Sequence, residues 1–194
     1  MEENQIKPTG LVVIGGSAGS LSVILSFLPR LDPLLDFPIV IVIHRKKTLD
    51  NSLSDLLSQK TLIPVKEIEE KDPILPGNIY IAPPDYHLLI EEEKIFSLDY
   101  SEKINFSRPG IDATFQTAAQ VYKDKLVGIL LSGANADGTE GLMSIRDVGG
   151  ITAVQDPATA EVPFMPRNAL EKLSIDYLLS IEGIAAFINS LIKK

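Results

Sequence analysis

Cysteine and tryptophan are absent from this chain of 194 residues, and histidine occurs only at positions 44 and 87. Without cysteine there is no disulfide, no thiolate nucleophile and no cysteine-built metal centre, a composition that fits the cytoplasm. Two isolated histidines give no zinc-ligand spacing, so no metal is expected. Long apolar runs are missing too. The longest, near 11–14 and 39–43, fall far short of the roughly 20 residues that cross a bilayer, so direct membrane insertion is not expected. Basic charge is in the minority: 18 Lys and Arg against 26 Asp and Glu leave a formal charge of -8. The lysines are scattered and form no basic stripe, which argues against nucleic acid as a partner. Residues 1–10, with Glu2, Glu3 and Lys7, are polar and lack the basic-then-apolar layout of a secretory leader.

What is present is an alternation. β-branched runs at 11–14, 37–43, 61–65, 126–131 and 151–154 read as buried strands, and apolar positions at helical spacing predict helices over 20–28, 51–58, 111–121 and 139–148. Strand–helix–strand order signals parallel α/β architecture. The middle reads differently: 78–82, 87–90 and 94–98 look like short strands separated by turns, an antiparallel patch on an otherwise parallel sheet. Residues 157–166 read as irregular, followed by a helical stretch at 167–173, a short apolar run at 175–179 and a final amphipathic helix at 182–192. No repeat or long linker interrupts the chain, and a single domain over 11–194 is expected.

The sharpest local signal is Gly15-Gly16-Ser17-Ala18-Gly19 between a predicted strand and a predicted helix. Small residues around a serine permit a tight strand-to-helix turn that projects the hydroxyl from the sheet edge, beside free N–H groups at a helix start. An anion-binding turn and a purely structural glycine turn are the competing readings. The spacing lacks the G-x-G-x-x-G of a dinucleotide loop. His44 closes the 39–43 strand and belongs at the same sheet edge, as a general base for serine requires, or else simply caps that strand. His87 lies in the middle region. The candidate third member is Asp137, in the loop of small residues after the 126–131 strand; its alternative role is N-cap of the 139–148 helix. Asp85 and Asp112 follow no clear parallel strand and are weaker acid candidates.

Taken in order, several segments resemble the catalytic domain of the chemotaxis protein-glutamate methylesterases, the CheB type. They are 12–20 (VVIGGSAGS), 39–45 (IVIVIHR), 75–87 (LPGNIYIAPPDYH), Arg108-Pro109 with Asp112, 131–141 (LSGANADGTEG) and 163–167 (PFMPR). The likeness covers essentially the whole chain from about Leu11. It implies a doubly wound, mostly parallel sheet with a small antiparallel extension in a three-layer α/β/α arrangement. It also implies Ser17 as nucleophile, His44 as base and Asp137 as acid, acting without a cofactor. The implied reaction is hydrolysis of glutamate γ-methyl esters, and deamidation of particular glutamines, on cytoplasmic helices of methyl-accepting chemotaxis receptors.

Around that triad, Ala18 is the candidate oxyanion donor, with Ala134 and Gly16 beside the same cleft. Arg45, Arg108 and His87 are candidate substrate-binding residues, and Lys46 and Lys47 would add to a basic rim. Ten polar residues before the catalytic unit are too few for the receiver domain that family members commonly carry, so control by phosphorylation within the chain is not expected. Ser20 and Arg45 stand where many members have glycine and methionine, beside the catalytic groups. Two other functions stay open at this stage: an esterase or deamidase acting on a protein outside chemotaxis, and a catalytically silent binding module in a signalling complex.

Overall fold

The computed structural model describes residues 9–45 and 52–193. Most of the polar leader at 1–10, Lys46, Lys47 and the first residue of the helix expected at 51–58 lie outside the described residues. In chain order the elements are β1 (Leu11–Gly16), α1 (Ser20–Phe27), β2 (Ile39–Ile43), α2 (Ser52–Ser58), β3 (Val65–Glu67), β4 (Ile79–Ile81), β5 (His87–Ile90) and β6 (Phe96–Asp99). There follow α3 (Ile111–Tyr122), β7 (Leu126–Leu130), α4 (Thr139–Asp147), β8 (Ile151–Gln155), α5 (Phe164–Lys172), β9 (Tyr177–Leu179) and α6 (Ile181–Ser190).

Seven strands form a parallel sheet in the order β3-β4-β2-β1-β7-β8-β9. The continuous apolar runs are explained by burial on both faces. Because successive side chains of a strand point to opposite faces, Val12 and Ile14 enter one core with Ile24 and Phe27 of α1, Leu57 of α2 and Ile188 of α6. Leu11 and Val13 enter the other with Phe115 of α3, Leu142 of α4 and Met165 of α5. From β1 the chain runs toward one sheet edge with helices on the first face, then toward the other edge with α3, α4 and α5 on the second. The strand order therefore reverses between β1 and β7, the kind of switch point where ligands bind beyond the carboxyl ends of the strands.

The doubly wound fold agrees with the sequence reading, and four details differ. The strand expected at 61–65 forms at 65–67, because Val65 to Glu67 pair with β4 while Leu62 stays 88% exposed. The strand at 79–81 is parallel and inserted between β3 and β2. Among the described strands only β5 and β6 are antiparallel, and they form a separate two-stranded ladder under α3, with Leu88, Ile90 and Phe96 in the same core as Phe115. The helix expected from 167 begins at Phe164. Pro166 is tolerated there because N–H groups of a first helical turn have no intrahelical partner to lose.

Candidate active site

β1, β2 and β7 are neighbours with aligned carboxyl ends, Gly16 lying opposite Ile43 and Gly15 opposite Leu130. Three loops therefore leave the sheet side by side, carrying Ser17, His44 and Asp137. The Ser17 backbone is held at both ends: Ser17 N–H donates to the Ser132 carbonyl (2.9 Å), and the Ser17 carbonyl accepts from Ser20 N–H (3.0 Å) and Ser20 Oγ (2.6 Å). Gly19 enters α1 at φ 80, a left-handed conformation that favours glycine. Gly16 is buried within the ladder, and a Cβ on it would stand 2.5 Å from Ser20 Cβ. Its role is close approach, and its carbonyl accepts from His44 N–H at 3.1 Å.

Asp137 is fully buried. Its Oδ2 accepts from Ile111 N–H (2.7 Å), and its Oδ1 accepts from Asp112 N–H (3.0 Å) and Gly138 N–H (3.0 Å). Ile111 and Asp112 begin α3, so the carboxylate sits on the positive end of that helix. Gly138, not Asp137, occupies the N-cap of α4; Asp137 is reserved for α3 and for His44. The His44 Nε2 to Asp137 Oδ2 distance is 2.8 Å. Burial works against the Asp137 charge, but the hydrogen bonds from His44, Asp112 N–H and Ile111 N–H outweigh it and hold its pKa below the ordinary carboxylate value. An ionised Asp137 only accepts, so Nε2 carries the proton and Nδ1 is the unprotonated nitrogen of neutral His44. Nδ1 in turn contacts Ser107 Oγ at 3.2 Å.

A second carboxyl lies alongside. Asp112 is buried, accepts from Gly141 N–H (2.7 Å) and contacts Asn105 Nδ2 (3.3 Å). Burial first, and the neighbouring Asp137 charge second, raise its pKa to about 7. Two carboxylates this close cannot both ionise cheaply, and the better hydrogen-bonded one keeps its charge.

Ser17, Ser20, Leu21, Ile43, His44, Arg45, the α2 residues Leu53, Asp55 and Leu56, and Gln59 line a cleft of about 650 Å³. Ser17 and His44 thus share one cavity, while among the described residues the Ser17 hydroxyl makes no hydrogen bond. A smaller cleft of about 260 Å³ lies beside the imidazole, lined by Arg45, Asp85, Lys103, Phe106, Ser107 and Arg108. Ala18 and Ala134 are exposed. Neither N–H has an intramolecular acceptor among the described residues, and both lie in the loops flanking Ser17.

Arg45 pairs with Glu67. Arg108 donates to the Ser101 (2.7 Å) and Tyr100 (3.3 Å) carbonyls and stacks on the Tyr100 ring at 3.8 Å. Both arginines border the smaller cleft. His87 does not: it is buried, its Nδ1 accepts from Gly110 N–H (2.9 Å), and its Nε2 donates to the Glu102 carbonyl (2.8 Å). The expectation that it faces substrate is corrected, since both ring nitrogens are used to fix the entry to α3. Sequence reasoning missed Ser107 and Asn135. Asn135 accepts from Asp137 N–H (3.1 Å) and donates to Ser107 Oγ (3.3 Å). Asn135 lies in the same motif as Asp137, whereas no local pattern marks Ser107. Among the described residues no group of three or more His, Asp and Glu side chains is arranged to hold a metal ion, and no helix is long and apolar enough to cross a membrane.

Fold and site together define a doubly wound α/β protein with serine, histidine and buried aspartate gathered at the carboxyl ends of three adjacent parallel strands. The sequence model of the CheB methylesterase family matches residues 12–188, and the chain belongs to that family. Two Leptospira interrogans proteins, from serovars copenhageni and Lai, are 49% identical over 174 residues, covering 90% of this chain and 90% of theirs. They carry the provisional name protein-glutamate methylesterase/protein-glutamine glutaminase. A Thermotoga maritima protein named protein-glutamate methylesterase/protein-glutamine glutaminase is 38% identical over 87% of this chain, which spans 50% of that protein's length. The crystal structure of the Thermotoga maritima CheB methylesterase catalytic domain superposes with a TM-score of 0.90 at 35% identity, covering 95% of this chain and 99% of that one.

Proposed function

We propose that this protein hydrolyses glutamate γ-methyl esters, and deamidates glutamines, on the cytoplasmic helices of methyl-accepting chemotaxis receptors, with Ser17, His44 and Asp137 as its triad. The observation that carries the reading is the 2.8 Å bond from His44 to a buried, ionised Asp137, with Ser17 in the cavity that the same histidine lines. His44 takes the Ser17 proton at Nδ1 as Oγ attacks the ester carbonyl. Asp137 keeps the proton on Nε2 and stabilises the imidazolium. The N–H groups of Ala18 and Ala134 receive the developing oxyanion. Methanol leaves with the proton from His44, and water activated by the same imidazole releases the glutamate side chain. No cofactor takes part. Arg45 and Arg108 contact the substrate polypeptide near the smaller cleft. The catalytic unit spans 11–194, preceded by the polar segment 1–10, and works in the cytoplasm.

The experiment is methanol release from methylated receptor cytoplasmic fragments by wild type, Ser17→Ala and His44→Ala. Release by wild type and its loss in both variants is the expected result. Full release by Ser17→Ala would sink the triad. No release by folded wild type across several receptors would transfer the reading to another protein substrate.

A further inference from the structure

The nitrogen that must receive the Ser17 proton is already engaged. With Nε2 committed to Asp137, Nδ1 offers a single in-plane lone pair, which accepts one hydrogen bond at a time. Ser107 Oγ stands 3.2 Å from it, and Ser17 Oγ has no hydrogen bond to it. Ser107 is held in place from two sides. Asn135 Nδ2 donates to its hydroxyl oxygen (3.3 Å), and its backbone exchanges two hydrogen bonds with Ile104, at 2.8 and 3.1 Å. The turn between them carries Asn105 at φ 48 and Phe106 at φ 63, with Phe106 97% exposed.

We infer that Ser107 is a positioning residue of the base. Its hydroxyl holds the imidazole by donating to Nδ1 in the resting protein, and it must yield that nitrogen to Ser17 before attack. A way to yield is built in: the Asn105 carbonyl, 3.5 Å from Ser107 Oγ, is a second acceptor toward which the hydroxyl proton can turn. The inference rests on the triad reading above and adds to it a hydrogen bond that the reaction has to break. An exchange of that kind is worth roughly a two- to tenfold change in rate.

The test uses p-nitrophenyl acetate turnover with the whole chain, together with ¹⁵N NMR of the His44 ring, on wild type, Ser107→Ala, Ser107→Thr and Ser17→Ala. Removal of the hydroxyl is expected to shift the Nδ1 resonance toward that of an imidazole without this donor. It is also expected to raise kcat/KM about two- to tenfold, through kcat with KM little changed, and Ser107→Thr is expected to restore both readings. An unmoved Nδ1 resonance, or, where wild type turns the ester over, turnover by Ser107→Ala at or below the wild-type rate, overturns the inference. Abolished turnover in Ser107→Ala with retained turnover in Ser17→Ala would make Ser107 the nucleophile and overturn the triad as well. The NMR reading needs no substrate. A shifted resonance in a protein inactive toward every ester would therefore separate failure of the functional reading from failure of this one.

Discussion

The acid side and the serine side of the site are built in opposite ways. Asp137 is sealed between β7 and α3, accepts from three backbone N–H groups and from His44, and has no contact with solvent. Ser17, one strand over, is half-buried in a turn where its own N–H and carbonyl are both hydrogen-bonded, while its hydroxyl makes no hydrogen bond among the described residues. The acid is fixed by the fold at a cost met during folding, which is what electrostatic preorganisation demands. The serine is fixed only up to Cβ, because its oxygen has to change partners during the reaction. Substitutions on the two sides should therefore separate stability from activity.

Asp137→Ala is expected to produce the largest combined effect. Methanol release should fall by on the order of 10⁴-fold, since His44 loses the group that fixes its tautomer. Denaturant unfolding should show a loss of roughly 3 kcal/mol, because buried N–H groups are left unpaired. A variant as stable as wild type would break the comparison on its acid side. Ser17→Ala should lower methanol release by on the order of 10⁶-fold and leave the unfolding midpoint near wild type; a large loss of stability would break it on the serine side.

The buried carboxyl pair sharpens the contrast through pH. Asp112 has its folded pKa raised to about 7 from an ordinary 3.8, so the folded protein keeps a proton that the unfolded chain releases. That contribution is fully present below the unfolded value and is lost as pH rises through about 7. Asp137, with its folded pKa lowered, contributes stability above the ordinary carboxylate value that is lost as pH falls through the folded one. Asp112→Asn is therefore expected to gain on wild type as pH rises from 5 to 8, by on the order of 2 kcal/mol. A gap between the two unfolding midpoints that does not change with pH would refute the shared-charge account. The smallest effect is expected at the cleft rim: Arg108→Gln should raise KM for a receptor fragment a few-fold with kcat unchanged, and an unchanged KM would remove Arg108 from substrate binding.

Much of this was legible in order along the chain. The runs at 11–14, 39–43 and 126–130 are apolar on both faces, and only a sheet covered on both sides buries them. The Ser17 turn announces itself because small residues must cluster where a strand reverses into a helix. His44 follows its strand without interruption, so its height at the sheet edge could be read from the end of the hydrophobic run. The strand at 65–67 was misplaced because three residues carry little period, and their position is set by pairing with β4. The antiparallel ladder was visible as short strands, but its separation from the main sheet was not.

Sequence by itself determined the layers, the strand-end placement of Ser17, His44 and Asp137, and the absence of thiol chemistry, because these follow from local periodicity and residue type. Tertiary structure alone decided which helix Asp137 serves, that Asp112 shares its charge, that His87 is a buried lock, and that Ser107 meets the base from 63 residues away. Those outcomes depend on which side chains meet across strands and loops distant in the chain, and hydrogen-bond geometry and burial of that kind leave no repeating trace in the order of residues.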